Sequence, residues 1–298
     1  MTRAAPPRRV VFLGTPEMAV PPLRALVAAG FDVALVVTRI DKRRGRGSQL
    51  TPSPVKAAAL DLGLPVSHTV DDALAAGADL GVVVAFGQLI KPHVLAELPM
   101  VNLHFSLLPR WRGAAPVERA LLAGDSETGV CLMQLEERLD TGPIFACRSV
   151  PIGEQTTAAE LRAELVEVGT QLLVDELRAG LGTPQPQEGE PTYAAKLRSE
   201  ELQIDWTSAA VDIDRLVRLG GAWTMLHGRR LKIVAAELVD PSCPSTDELR
   251  GDRVGGLRLV TVQPEGRTAM PFDAFARGTQ LGEAESLGAA DGSNVDDR

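Results

Sequence analysis

Residues 101–142 read VNLHFSLLPRWRGAAPVERALLAGDSETGVCLMQLEERLDTG, and this stretch contains the main signals for the fold. The apolar runs at 101–103 and 130–135 are typical of buried strands. Between them, the apolar residues of 117–122 recur at helical spacing. The stretch therefore predicts a strand, a helix and a second strand.

The same pattern extends toward the N-terminus. Valine-rich runs occur at 10–13, 33–37 and 80–86, and the segments between several of them have helical spacing. Continuous rather than alternating apolar character indicates strands that are buried on both faces. We therefore expect an α/β domain with a mostly parallel sheet and helices on both faces.

Composition changes along the chain predict four parts. Residues 1–180 form the α/β domain, closed by a long helix with apolar positions between 161 and 177. Residues 181–203 have the Gly, Pro and polar content of a linker. Short apolar stretches in 204–281 predict a small β-rich domain. Residues 282–298 have almost no apolar side chains and are expected to be a disordered tail.

Charge and cysteine content exclude several classes of protein. A net charge of -8 argues against a generally basic nucleic-acid binder, so any nucleic-acid contact needs a local basic patch. No apolar stretch has the length of a signal or a membrane span, which predicts a cytoplasmic protein. The three cysteines lack a CxxC spacing and are expected to be reduced. No metal is expected, because no ligand cluster is present.

Asn102, His104 and Asp140 are the candidate catalytic residues. Residues two apart on a strand point to the same side, so Asn102 and His104 can polarise one carbonyl oxygen. Asp140, from a later loop, can orient the imidazole and favour its charged form. This trio predicts an acyl-transfer site.

Several motifs resemble one known family. NLHFSLLP at 102–109, RWRGAAP at 110–116 and LDTG at 139–142 are similar to the folate-dependent formyltransferases, and among them to those that act on methionyl-tRNA. The likeness runs from about residue 10 to 281. It includes GTPE at 14–17, GRGSQLTPSPVK at 45–56 and VQPEGRTAM at 262–270.

The resemblance implies a fold and a set of substrates. It implies a Rossmann-like catalytic domain and a C-terminal OB-like domain. The acidic stretch 239–257 replaces a strand pair of the relatives, so the OB-like domain is expected to be shortened by one or two strands. The implied formyl donor is 10-formyltetrahydrofolate, used without a metal. The implied partner is initiator methionyl-tRNA, formylated on the methionine amine for translation initiation, and a monomer is expected.

The resemblance also implies binding residues. The expected folate-binding residues are Ser106, Leu107, Leu108, Pro109, Phe86, Gly87, Gln88, Leu89, Ile90 and Glu136. The expected tRNA-binding residues form a basic loop and are Arg39, Lys42, Arg43, Arg44 and Arg46. Arginine suits this role because its forked donors match backbone phosphates.

Three other functions stay open at this point. One is a formyltransferase for a small amine, such as an amino-sugar nucleotide. Another is a non-catalytic tRNA-binding relative, and the third is a hydrolase that releases formate from the same folate. The basic loop and VQPEGRTAM favour tRNA, whereas the shortened second domain favours a small amine.

Overall fold

The computed structural model describes residues 3–43 and 50–288. The chain divides into two compact units, the first made of residues 1–119, 126–152 and 160–195 and the second of residues 120–125, 153–159 and 196–298. The predicted boundaries at 180 and 204 stay predictions.

A seven-stranded sheet is the centre of the first unit. Its strands are β1 (Arg9–Gly14), β2 (Asp32–Val37), β5 (Val66–Ser67), β6 (Leu80–Val84), β7 (Met100–His104), β9 (Glu127–Gln134) and β10 (Ile144–Pro151). The order in the sheet is β10-β9-β7-β6-β1-β2-β5, and only the pairings that involve β9 and β10 are antiparallel. Two short ladders join β3 (Lys42–Arg43) to β4 (Leu50–Thr51) and β8 (Arg112–Gly113) to β11 (Tyr193–Ala194).

Helices cover both faces of this sheet. They are α1 (Val20–Ala28), α2 (Pro54–Asp61), α3 (Pro92–Glu97), α4 (Pro116–Ala123) and α5 (Ala158–Ala179). Along β1, Val10 and Phe12 belong to a core with α1, α2 and α5, whereas Val11 and Leu13 belong to a second core with α3. This alternation explains the continuous valine-rich runs, because each face of a strand has its own helical layer. The predicted α/β fold is confirmed.

The side chain of Asp79 is hydrogen-bonded to the backbone at the start of β1. Its Oδ2 accepts hydrogen bonds from the backbone N–H groups of Arg8, at 2.8 Å, and Arg9, at 2.9 Å. The pKa of the Asp79 carboxyl lies below its ordinary value because these bonds, that of Arg9 first, favour the charged form.

Two cysteines of the sheet form a disulfide. Cys131 on β9 lies opposite Cys147 on β10 in the antiparallel register, with 4.2 Å between their Cα atoms, and their sulfurs are bonded. The expectation of reduced thiols is therefore wrong for this pair, while Cys243 is free. The spacing of 16 residues gave no sign of the pairing, because the strand register that creates it depends on the intervening loop.

Part of the predicted linker is ordered along the first unit. Gln185 and Ile144 exchange backbone hydrogen bonds of 2.7 and 2.8 Å. Farther along, β11 pairs with β8, which places Tyr193 opposite Arg112 and Ala194 opposite Gly113. Polar composition predicted a connector, but these backbone groups find partners on the domain itself.

Between residues 196 and 288 the second unit contains an antiparallel sheet and two α-helices. Its strands are β12 (Trp223–Leu226), β13 (Arg229–Leu238), β14 (Glu248–Arg250), β15 (Arg253–Val254), β16 (Leu257–Pro264), β17 (Met270–Pro271) and β18 (Glu285–Ser286). The helices are α6 (Ala210–Arg218) and α7 (Phe272–Thr279). The order is β12-β13-β16-β15-β14-β18, with β17 beside β16. The predicted β-rich C-terminal domain is confirmed.

Two details of this unit differ from expectation. The stretch 239–257, expected to lack a strand pair, contains the β14–β15 hairpin. The expected start of the disordered tail, at residue 282, is too early, since β18 pairs with β14 and Leu287 is buried in the second core. Further hydrogen bonds hold this segment, among them that of the Ser286 hydroxyl to Asp247 at 2.7 Å and that of the Gly288 N–H to the Met225 oxygen at 2.9 Å. Residues 289–298 of the expected tail lie outside the described residues.

None of the helices in the described ranges is both long and apolar enough to cross a membrane.

Candidate active site

Asn102 and His104 lie on β7, between the parallel strand β6 and the antiparallel strand β9. Leu103 and Phe105 alternate with them and are buried in the main core. The polar pair therefore faces away from that core, as the period of two predicts. His104 is nevertheless only 5% exposed, so its imidazole sits in a largely dry environment.

Asp140 completes the predicted trio. Its carboxylate accepts a 2.8 Å hydrogen bond from the backbone N–H of Gly113. The other oxygen lies 3.5 Å from the Asn102 amide nitrogen, and 3.6 Å separates Oδ2 from Nδ1 of His104. The structure thus places Asn102 and His104 beside the carboxylate of Asp140, which brings the three predicted residues together.

The partners of the imidazole restrict its protonation state. Nε2 of His104 lies 2.9 Å from the backbone oxygen of Trp111, which only accepts, so Nε2 carries a proton. Nδ1 faces the Asp140 carboxylate, which also only accepts when ionised. The 3.6 Å between Nδ1 and Oδ2 is too long for a hydrogen bond. An acceptor therefore lies beside each ring nitrogen, and only the one at Nε2 is within hydrogen-bond distance.

The Ser106–Pro109 segment folds back immediately after the strand. The Ser106 hydroxyl donates to the Arg110 oxygen at 2.6 Å, and the Leu108–Pro109 bond is cis. Ser106 and Leu108 are buried, and Leu108 packs with Cys131 and Met133. These two side chains therefore support the turn from within.

The loop after β6 has buried anchors and an exposed tip. Phe86 and Ile90 are buried in the core that includes α3, and the Thr15 hydroxyl donates to the Phe86 oxygen at 3.2 Å. Gly87, at a φ of 70°, allows the chain to turn between them. Gln88 is exposed, and Leu89 is 79% exposed.

The loop that precedes Asp140 also has an exposed surface. Glu136 is exposed, and Leu139 is 64% exposed. A single exposed apolar side chain such as Leu139 is ordinary on a protein surface and does not by itself mark a ligand site.

The predicted basic loop begins where β2 ends. Lys42 and Arg43 are exposed on the β3–β4 ladder, whereas Nε of Arg39 is buried without a hydrogen-bond partner among the described residues. Asp41, the acid within this run, is paired with Lys56 at 2.8 Å and does not neutralise the loop. Arg44 and Arg46 lie outside the described residues.

Three contributors to the site were missed from the sequence. They are the N–H of Gly113, the carbonyl of Trp111 and the side chain of Gln187, which binds the Asp140 loop. The Arg-x-Arg-Gly motif was a signal for the first two, since Gly113 has a φ of 125° that favours glycine. The polar, proline-rich surroundings of Gln187 gave no signal.

The other described histidines have structural partners. Nδ1 of His68 lies 2.9 Å from the Thr38 oxygen, and His93 and His227 each pair with a carboxylate. Across residues 3–43 and 50–288, no group of three His, Cys, Asp or Glu residues is placed to hold a metal ion.

Comparisons with known proteins agree with this architecture. The formyl transferase family matches residues 8–177, and the formyl transferase C-terminal domain matches residues 196–280. The methionyl-tRNA formyltransferase of Roseobacter denitrificans is 45% identical over 92% of this chain and 96% of its own length. That of Ruegeria pomeroyi is 44% identical over 91% and 97%.

A solved structure shows the same fold at low identity. The N-formyltransferase from Helicobacter canadensis, in complex with folinic acid and dTDP-3-aminofucose, has a TM-score of 0.64 at 17% identity over 86% of this chain and 99% of its own. The two-domain match defines a group-transfer enzyme. The chain belongs to the formyl transferase family.

Proposed function

We propose that this protein transfers the formyl group of 10-formyltetrahydrofolate to the α-amine of methionine on initiator methionyl-tRNA, for translation initiation. The observation that carries the proposal is the gathering of Asn102, His104 and Asp140 in a chain 45% identical to a methionyl-tRNA formyltransferase. The reaction needs hydrogen-bond donors at a carbonyl oxygen that gains negative charge, and this trio offers them.

Each member of the trio has a distinct role in the proposed reaction. When bound, 10-formyltetrahydrofolate supplies a formyl carbon activated by its bond to nitrogen. Asn102 donates to the formyl oxygen as the amine bonds to that carbon, and His104 donates to it once its Nε2–H exchanges the Trp111 oxygen for the formyl oxygen. Asp140, 3.6 Å from Nδ1, orients the imidazole. Water takes the proton lost by the amine, and the bond to the folate nitrogen breaks as that nitrogen takes a proton from water, which leaves the formamide and tetrahydrofolate.

We assign the folate ring to the two loops that carry Leu89 and Leu139. Leu89 and Leu139, at 79% and 64% exposure, offer apolar surface on the two loops that the family resemblance assigns to folate. Phe86 and Ile90 hold the first of these loops on the core. Mostly apolar walls with a few polar groups are typical of cosubstrate sites.

The basic loop is the proposed contact for tRNA. Lys42 and Arg43 are exposed, and Asp41 is already paired, so their charge is available to phosphates. The loop follows a parallel strand, at the edge of the sheet where ligand sites collect.

The proposal includes a cytoplasmic monomer that acts without a metal. One chain supplies all three catalytic residues, so no second copy is required. Initiator methionyl-tRNA is the macromolecular partner.

An acceptor panel tests the proposal against its rivals. Formyl-folate consumption should be followed with initiator methionyl-tRNA, with an amino-sugar nucleotide and with water alone. Rapid consumption only with the charged tRNA supports the proposal. Preference for the sugar would indicate a small-amine enzyme, acceptor-independent release of formate a hydrolase, and tRNA binding without consumption a non-catalytic relative.

A further inference from the structure

We propose that Gln187 is a positioning residue that holds Asp140 in its catalytic geometry. Its Nε2 donates 2.8 Å hydrogen bonds to the backbone oxygens of both Asp140 and Gly142. Its Oε1 accepts from Nη2 and Nε of Arg112 at 2.6 and 3.1 Å. The inference rests on the proposed function and adds a residue from outside the catalytic loops.

The orientation of the Gln187 amide follows from its partners. A guanidinium only donates and backbone carbonyls only accept, so the amide oxygen must face Arg112 and the amide nitrogen the loop. The reverse orientation would place like groups together on both sides. Arg112 therefore fixes the direction in which Gln187 donates.

Asp140 needs such a support because of its backbone. Its φ of 50° lies in the left-handed region, which costs a residue other than glycine about 1–3 kcal/mol and persists only where the surroundings hold it. The two carbonyls held by Gln187 lie at Asp140 itself and two residues later. A single amide thus fixes the loop on both sides of Thr141.

Gln187 also joins the two segments that surround the carboxylate. Arg112 directly precedes Gly113, whose N–H donates to Asp140 Oδ2 at 2.8 Å. The Arg112–Gln187–Asp140 connection therefore sets the distance between the donor and the acceptor of that bond. A change at Gln187 is transmitted to the carboxylate, and from there to His104 at 3.6 Å.

Folding does not depend on the Gln187 side chain. The segment is held on the first unit by the Gln185–Ile144 backbone bonds and by the β8–β11 ladder. Gln187 is only half-buried, so each of its hydrogen bonds contributes about 1 kcal/mol net. Variants at this position should therefore fold, and a loss of rate is separable from a loss of structure.

Two variants and a matched control test the inference. Gln187→Met keeps the length and removes every hydrogen bond, whereas Gln187→Glu keeps the acceptor for Arg112 and removes both donors. Gln185→Ala is the control, because within residues 3–43 and 50–288 the exposed Gln185 side chain makes a hydrogen bond only with the Thr183 oxygen. Formylation of methionyl-tRNA should be measured with hydrogen exchange of peptides that contain residues 112–114 and 138–143.

We expect both Gln187 variants to lose about 10- to 100-fold in kcat, as misplacement of a catalytic group by a fraction of an ångström does. The KM for formyl-folate should change by less than about three-fold, because ground-state binding is untouched. Exchange of the two peptides should accelerate, and the control should match wild type in every measurement.

Wild-type kcat in a folded Gln187→Glu or Gln187→Met variant would overturn the inference, as would equal losses in the control. If the wild type itself fails to formylate methionyl-tRNA, the proposed function falls instead. The exchange measurement needs no substrate and then decides the Gln187 inference alone, with unchanged exchange counting against it.

Discussion

Replacing Gly142 by alanine should displace the loop that carries Asp140. A Cβ at this buried position would lie 1.9 Å from the backbone oxygen of Gln134 and 3.0 Å from its carbon. Ordinary contact begins at 3.4 Å, so the two backbone segments must separate by about 1.5 Å. A misplacement of about 1 Å costs on the order of 100-fold in rate, or about 2.7 kcal/mol in the barrier.

Steady-state formylation and thermal unfolding of Gly142→Ala give the test. We expect kcat/KM to fall by at least about 100-fold, with a stability loss of about 1–3 kcal/mol from the crowded backbone. Gly182→Ala is the matched control, since its Cβ would meet nothing within 4 Å. A folded Gly142→Ala enzyme with kcat/KM within about three-fold of wild type would refute the role of this loop geometry.

Three further predictions concern the trio, the basic loop and the first strand. His104→Ala should lose about two to three orders of magnitude in kcat yet fold, checked by single-turnover rates and circular dichroism. Replacing Arg43, Arg44 and Arg46 together by alanine should weaken tRNA binding and leave folate binding intact. The log–log slope of tRNA affinity against salt concentration should flatten by about one unit per lost phosphate contact. Equal slopes in the two proteins would show that the loop is only a solvated surface. Asp79→Asn should be destabilised near neutral pH, and because the wild-type pKa is depressed, its deficit in urea midpoint should shrink as the pH falls below about 4; a constant deficit would contradict the role of that charge.

The sheet could be predicted because continuous apolar runs in the sequence indicate strands that are buried on both faces. The runs at 10–13 and 80–86 correspond to β1 and β6, which continuous valine made visible. In contrast, β10 was missed, since its burial is partial and its sequence mixes polar with apolar residues. Its absence from the prediction also hid the Cys131–Cys147 pairing.

The trio was predictable because local spacing and motif order fix it. Two residues on one strand face share a direction regardless of the rest of the fold. The prediction that Asp140 lies beside Asn102 depended on the family resemblance, since a sequence separation of 38 residues gives no distance by itself. In the structure, Asp140 is hydrogen-bonded to Gly113 and Gln187, which are distant from it in the sequence.

The contacts of Gln187 could not be predicted from the sequence, because a polar composition indicates exposure to solvent and does not identify tertiary contacts. Residues 181–203 have linker composition, yet the part up to 195 is attached through backbone bonds and one glutamine amide. The β14–β15 hairpin was missed for the same reason, because acidic and Gly/Pro-rich residues dominate around its short strands. Tertiary partners, not propensity, decide these segments.

The central claim is that this chain formylates methionyl-tRNA at the site of Asn102, His104 and Asp140. Its most direct test is rapid mixing of enzyme, formyl-folate and charged initiator tRNA, followed by release and mass analysis of the amino acid. The wild type should give formyl-methionine in a single turnover, and Asn102→Ala should give it about 100 times more slowly. Unmodified methionine from the wild type, or equal rates in the two proteins, would contradict the account.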